Sequence, residues 1–174
     1  MPGGCFGCFA ELAPKGLITN DASHLEAPGA KPLYACILTP QQGRYAHDMI
    51  FYREPGDEPS LLVETDRRGK EDLVSLLKRY RMHQKSIQIQ DVSDSHNVWV
   101  QFGPGSLPEP SGGWQQDPRL PELGLRTVLP ALERAVGAGH EASWRDYRHW
   151  RLLQARFDLA PRQRSNESRV RAAT

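Results

Sequence analysis

Asp48, Ile50 and Tyr52 stand at alternate positions in the run HDMIFY. Side chains alternate faces along a strand, so the three share one face. Tyr34 lies on an apolar run that precedes them across a glycine-containing break, and it can reach that face from a partner strand. An acid, an aliphatic and two phenols suit a flat, nitrogen-rich ligand. The carboxylate would accept from ring N–H groups while the apolar and aromatic groups cover the ring. Spacing alone favours a plainer alternative, an acid at a strand end that is solvated or bonded to its turn.

The other chemistry-bearing residues form no recognised constellation. Cys5 and Cys8 make a CxxC, CFGC, near the start. A structural zinc needs four ligands, and neither a second CxxC nor an HxxxH follows. A redox CxxC opens a helix after a strand, and only the chain start precedes this one, so it reads as chance or disorder. Cys36 alternates within an apolar run and reads as a small core residue. The six histidines, at 24, 47, 83, 96, 140 and 149, lack metal-ligand spacing and read as surface residues. The sequence shows no phosphate loop, GxGxxG, GxSxG or HExxH. It therefore supports no catalytic assignment and no tightly bound metal.

The elements that must position Asp48 are legible from periodicity. Residues 33–39 and 45–53 read as two strands joined by the turn PQQGR, and residues 60–66 as a third strand. The period then changes. Leu73, Leu76, Leu77 and Tyr80 follow helical spacing and predict an amphipathic helix over 70–82, with acids in its first turn and bases in its last. Ile87 and Ile89 mark a half-buried strand. In HNVWVQFG, Val98, Val100 and Phe102 fall on one side of a strand and Trp99 on the other. A Pro/Gly-rich loop follows, then a short strand, LGLRTVLP. In EASWRDYRHWRLLQ, Trp144, Tyr147, Arg148, Arg151 and Leu152 predict one helix face. Upstream of the hairpin, Leu12, Leu17 and Ile18 suggest one or two helical turns broken at Pro14, and ASHLEAPGAKP reads as loop. Residues 155–174 lose all periodicity and read as a disordered basic tail. Hairpins mixed with helices, without repeated βα units, predict an α+β fold.

The chain has 174 residues, enough for one ordinary domain with a real core. Its 22 basic and 21 acidic side chains nearly cancel, so bulk charge does not make it a nucleic-acid binder. No apolar run approaches the about 20 residues of a membrane span. The first residues lack the pattern of a secretory or organelle-targeting segment.

Six phrases occur in order: GLITND, LYACILTPQQGR, HDMIFY, LLKRYRMHQK, DPRLPELGLRTVLP and YRHWRL. Over roughly residues 15–153 they resemble the mitochondrial iron–sulfur cluster assembly factors of the folate-binding family related to the glycine-cleavage T protein, the plant form above all. The resemblance implies a partial T-protein-like folate-binding domain with an aminomethyltransferase fold over residues 15–154. Residues 1–14 would be a non-family segment and residues 155–174 the tail. It also implies a tetrahydrofolate ligand, placement in the mitochondrial matrix, and work with A-type iron–sulfur carrier proteins in maturing 4Fe–4S proteins. By this match Asp48 stands where the T protein keeps the carboxylate that meets the pterin. Tyr34, Ile50 and Tyr52 match other pocket positions, and Asn20 falls in a TND phrase near the cavity.

Three departures qualify the match. One residue is extra in the turn TPQQGR; absorbed there it leaves Asp48 on its face, but as a register shift it would flip one strand. The family's first strands and presequence have no counterpart. Beyond about Gln154 the family continues into a KGCYxGQE motif and a C-terminal barrel, and this sequence does not. These departures imply a truncated form of marginal stability with exposed strand edges. Two alternatives stay open: a folate-dependent aminomethyl or methyl transferase, and a truncated isoform without independent activity. Turnover by this chain is therefore left undecided.

Overall fold

Short turns between apolar strands build the first half of the protein. The computed structural model describes residues 4–9, 16–56, 60–81, 87–105, 107, 109–136, 139–154 and 170–172. The described residues up to Ser93 form one compact unit and those from Asp94 onward a second. Each of these units has its own sheet and its own apolar cluster.

The first sheet contains β1 (Gly4–Phe9), β2 (Leu33–Leu38), β3 (Tyr45–Arg53), β4 (Ser60–Thr65) and β5 (Gln88–Gln90). Its strand order is β2-β3-β4-β1-β5, antiparallel throughout. Alternation sends Leu33, Ala35, Ile37, Met49, Phe51, Leu61 and Val63 to one face. The helix α1 (Lys70–Tyr80) covers that face through Leu73, which is 0% exposed, with Val74, Leu76 and Leu77 packed alongside. Tyr80 departs from the expected stripe: it is half exposed, because the helix ends there. Glu71 and Asp72 occupy the first turn, and Lys78 and Arg79 the last, as the macrodipole favours.

Several expectations for this half change. Residues 16–20 form turns, not helix, and Leu17 and Ile18 pack against the core. The expected helical turns before them fall partly on residues outside the described set. Within ASHL, read as loop, Ala22–Leu25 is a short 3-10 helix, capped by the Asp21 side chain accepting from Ser23 N–H at 2.9 Å. The segment holding CFGC is a strand, β1, paired between β4 and β5. Cys5 stands opposite Glu64 and Cys8 opposite Leu61. A strand backbone at this segment is unlike the helix-opening geometry of a redox CxxC.

The second sheet contains β6 (His96–Phe102), β7 (Gln115–Gln116), β8 (Leu125–Pro130), β9 (His140–Ala142) and β10 (Val170–Ala172), in the order β7-β8-β6-β10-β9. Trp99 and Val98/Val100/Phe102 do alternate, and both sets are buried. Trp99 joins Trp114, Leu125 and Ala135 in one cluster. Across the other face lies α2 (Trp144–Leu153), whose Tyr147 ring sits 5.2 Å from Phe102. Ser143 and Asp146 cap α2 reciprocally, which is why the helix opens at Trp144. Its buried residues are Tyr147 and Arg151, whereas Arg148 and Leu152, expected on the same face, are exposed.

The region read as one long loop contains β7 and a 3-10 turn at Pro121–Leu123. Within the segment read as a disordered tail, Val170–Ala172 is a strand, parallel to β6 and antiparallel to β9. Ladder hydrogen bonds are made by the backbone, so three residues can pair without apolar periodicity. The rest of that segment lies outside the described residues. Both units mix helix with mainly antiparallel sheet, an α+β architecture.

Candidate functional site

The β2–β3 turn decides which way Asp48 points. Thr39 N–H donates to the Arg44 carbonyl at 2.7 Å, Arg44 N–H donates to Thr39 Oγ1 at 3.1 Å, and Gly43 N–H donates to the Thr39 carbonyl at 2.9 Å. Gly43 takes φ 59°, the left-handed conformation that glycine adopts without a Cβ penalty. Pro40–Gly43 thus form a closed loop between the two strands. The ladder slips once, between the pairs Ile37–His47 and Leu38–Tyr45, leaving Ala46 as a bulge. Beyond it the register is regular: Cys36 faces Asp48, Tyr34 faces Ile50 and Leu33 faces Phe51.

Asp48, Ile50 and Tyr52 therefore lie on one face of β3, the face turned away from the apolar cluster, and Tyr34 joins them from β2. Ile50 and Tyr52 are buried, while Tyr34 and Asp48 are half-buried. Asn20 is placed differently. It is exposed at the outer edge of β2, where its Nδ2 donates to the Tyr34 carbonyl at 3.1 Å. Beside it, Thr19 N–H donates to the Cys36 carbonyl and Cys36 N–H to Thr19 Oγ1, each at 2.9 Å. Thr19 and Asn20 thus cover part of an edge that would otherwise offer free backbone groups. Asn20 reaches the site through Tyr34's backbone.

Two side chains on this face, Tyr45 and Glu64, were not singled out from sequence, and a third was expected elsewhere. The Tyr45 hydroxyl donates to Asp48 Oδ1 at 2.7 Å. Burial first, and then the bond to Asp48, push the phenol's pKa up, so it keeps its proton. Tyr52 donates to Glu64 Oε2 at 2.8 Å, across the ladder in which Glu64 pairs with Ile50. Cys36, expected in the core, lies on this face instead, and its Sγ contacts the Tyr34 hydroxyl at 3.4 Å. The register, not the composition of LYACIL, decides which face a residue takes. The face thus presents two carboxylates, each with a phenol on one oxygen, beside Ile50 and the Tyr34 ring. Of these groups, the half-buried Asp48 can accept a hydrogen bond from an N–H group, beside the half-buried Tyr34 ring.

His47 points the other way, against the start of α1. A Cβ at Gly69 would stand 3.1 Å from its Nδ1. Burial lowers the imidazole pKa, against the opposing charges of Asp72 and Asp48. His24, His140 and His149 are exposed, as expected. Among the described residues, no group of three or more His, Cys, Asp or Glu side chains is placed to hold a metal ion. Nor is any helix among them long and apolar enough to cross a membrane.

The second unit holds a buried ionic cluster that sequence reading missed. Asp117 is 2% exposed. It accepts from Arg119 Nε at 2.9 Å, Arg119 Nη2 at 2.7 Å and Arg126 Nη1 at 3.2 Å. The Tyr147 hydroxyl accepts from the same two guanidiniums at 3.0 and 3.1 Å. Burial alone would push the Asp117 carboxyl up, but the Arg119 hydrogen bonds and the charges of both arginines hold it below the usual carboxylate range. The only signal for it was the phrase DPRLPELGLR, which supplies Asp117, Arg119 and Arg126 but says nothing of their convergence on Tyr147. The cluster ties a turn, β8 and α2 together.

No protein-family model matches the chain, and no curated protein matches it.

Proposed function

We propose that the chain binds a tetrahydrofolate-type ligand on the β2–β3–β4 face and serves as an iron–sulfur cluster assembly factor. The observation that carries the binding reading is the placement of Tyr34, Asp48, Ile50 and Tyr52 on one sheet face, away from the apolar core. The half-buried Asp48 carboxylate accepts from the N–H edge of a pterin, and the half-buried Tyr34 ring covers its plane, with the buried Ile50 and Tyr52 supporting them from beneath. The assembly role, the A-type carrier partners, the 4Fe–4S clients and the mitochondrial matrix placement rest on the sequence phrases that resemble that family.

Titration of the purified chain with tetrahydrofolate, beside Asp48→Ala, tests the binding reading. Saturable binding that Asp48→Ala weakens by about 1–3 kcal/mol, the scale of a charged hydrogen bond, supports it. Absence of binding by the wild-type chain overturns it.

A further inference from the structure

One oxygen of Asp48 is already engaged, and by a residue that a regular strand would not bring to it. Tyr45 and Asp48 are three positions apart, a spacing that puts side chains on opposite faces. The bulge at Ala46 turns Tyr45 onto the Asp48 face, where its hydroxyl reaches Oδ1 at 2.7 Å. Bulges beside functional sites commonly re-aim a side chain in this way. The phenol keeps its proton because burial and the carboxylate both oppose its ionisation, so it is a permanent donor. A permanent donor on Oδ1 restricts the rotation of the carboxylate and leaves Oδ2 as its accepting edge. A ligand at that edge must bring an N–H group, not a lone pair.

We infer that Tyr45 is a positioning residue for the ligand: it holds Asp48 so that Oδ2 meets a ring N–H, and thereby selects ligands with an N–H donor edge. The inference rests on the ligand-binding reading of this face. Fixing an acceptor before the ligand arrives raises affinity by lowering the ordering cost of binding.

The test is calorimetric titration with tetrahydrofolate of the wild-type chain, Tyr45→Phe, Asp48→Asn and the double variant, each with a melting curve. Tyr45→Phe should weaken binding about tenfold, the scale of one hydrogen bond. In Asp48→Asn the Tyr45 hydroxyl would attract the amide oxygen and turn the NH2 group toward the ligand, opposing its N–H edge. Removing that hydroxyl frees the amide to flip, so the double variant should bind several-fold more tightly than Asp48→Asn alone. A merely structural Tyr45 would instead give an added loss in the double variant, and that outcome overturns the inference. So does Tyr45→Phe binding as tightly as wild type while Asp48→Asn fails. No binding by the wild-type chain overturns the underlying reading and the inference with it. If Tyr45→Phe does not melt cooperatively, Tyr45→His decides, since it restores a ring donor: folded and binding above the Asp48→Asn level supports the inference, and folded at that level overturns it.

Discussion

Asp117 and Arg126 form a buried ion pair, Oδ2 to Nη1 at 3.2 Å, with side-chain exposures of 0% and 4%. Nine residues apart in the chain, they meet because Asp117 N–H donates to the Gly124 carbonyl at 2.9 Å and folds the intervening turn back on itself. The two guanidiniums then share the carboxylate and the Tyr147 hydroxyl, joining β8 to α2.

Removing one partner of a buried pair leaves the other charged and unpaired. Asp117→Ala should therefore destabilise the protein by about 3–5 kcal/mol, against well under 1 kcal/mol for an exposed pair. Urea unfolding followed by Trp fluorescence reads the loss. A shift within the error of the wild-type midpoint would mean that the cluster contributes little cohesion.

The same carboxylate makes stability fall in acid. Its folded-state pKa lies below its unfolded value, so the unfolded chain binds the proton more tightly. The contribution is present in full above the unfolded value, about 3.9, and is lost as pH falls through the folded one. Melting temperature should drop as pH is lowered from about 5 to 3, and the drop should be shallower in Asp117→Ala. Equal slopes in both proteins would place the acid sensitivity elsewhere.

Gly124 approaches β6 more closely than any side chain allows. A Cβ there would lie 2.0 Å from the Gln101 carbonyl oxygen, and the residue holds φ 111°. Gly124→Ala combines a backbone clash with backbone strain, so a loss of more than about 3 kcal/mol is expected. Proteolysis resistance and a melting curve would show it. Wild-type stability would mean that β6 moves aside at little cost.

Leu73 tests the first unit in the same way. It is fully buried against β2, β3 and β4, so Leu73→Ala should cost about 2–5 kcal/mol, transfer and cavity together. Tyr80→Ala, on the same helix but half exposed, should cost much less. Parallel denaturation of the two variants gives the comparison, and equal losses would contradict the packing of α1.

Local pattern determined much of this protein. The alternation in residues 45–53 and 60–66 and the helical spacing of Leu73, Leu76 and Leu77 define strands and a helix whose bounds the structure reproduces within a residue or two. The same alternation placed Asp48, Ile50 and Tyr52 on one face, because strand side chains repeat every two residues whatever lies around them. Tertiary structure decided what periodicity does not encode. The bulge at Ala46 brings Tyr45 to Asp48, and pairing brings Tyr52 to Glu64. Cys36 left the expected core because register, not hydrophobicity, sets its face. The strands β1 and β10 formed where local sequence gave no reason, since ladder bonds belong to the backbone. Asp117, Arg119, Arg126 and Tyr147 converge across up to 30 positions of chain. Convergence of that kind depends on how distant segments pack, and no local window of sequence contains it.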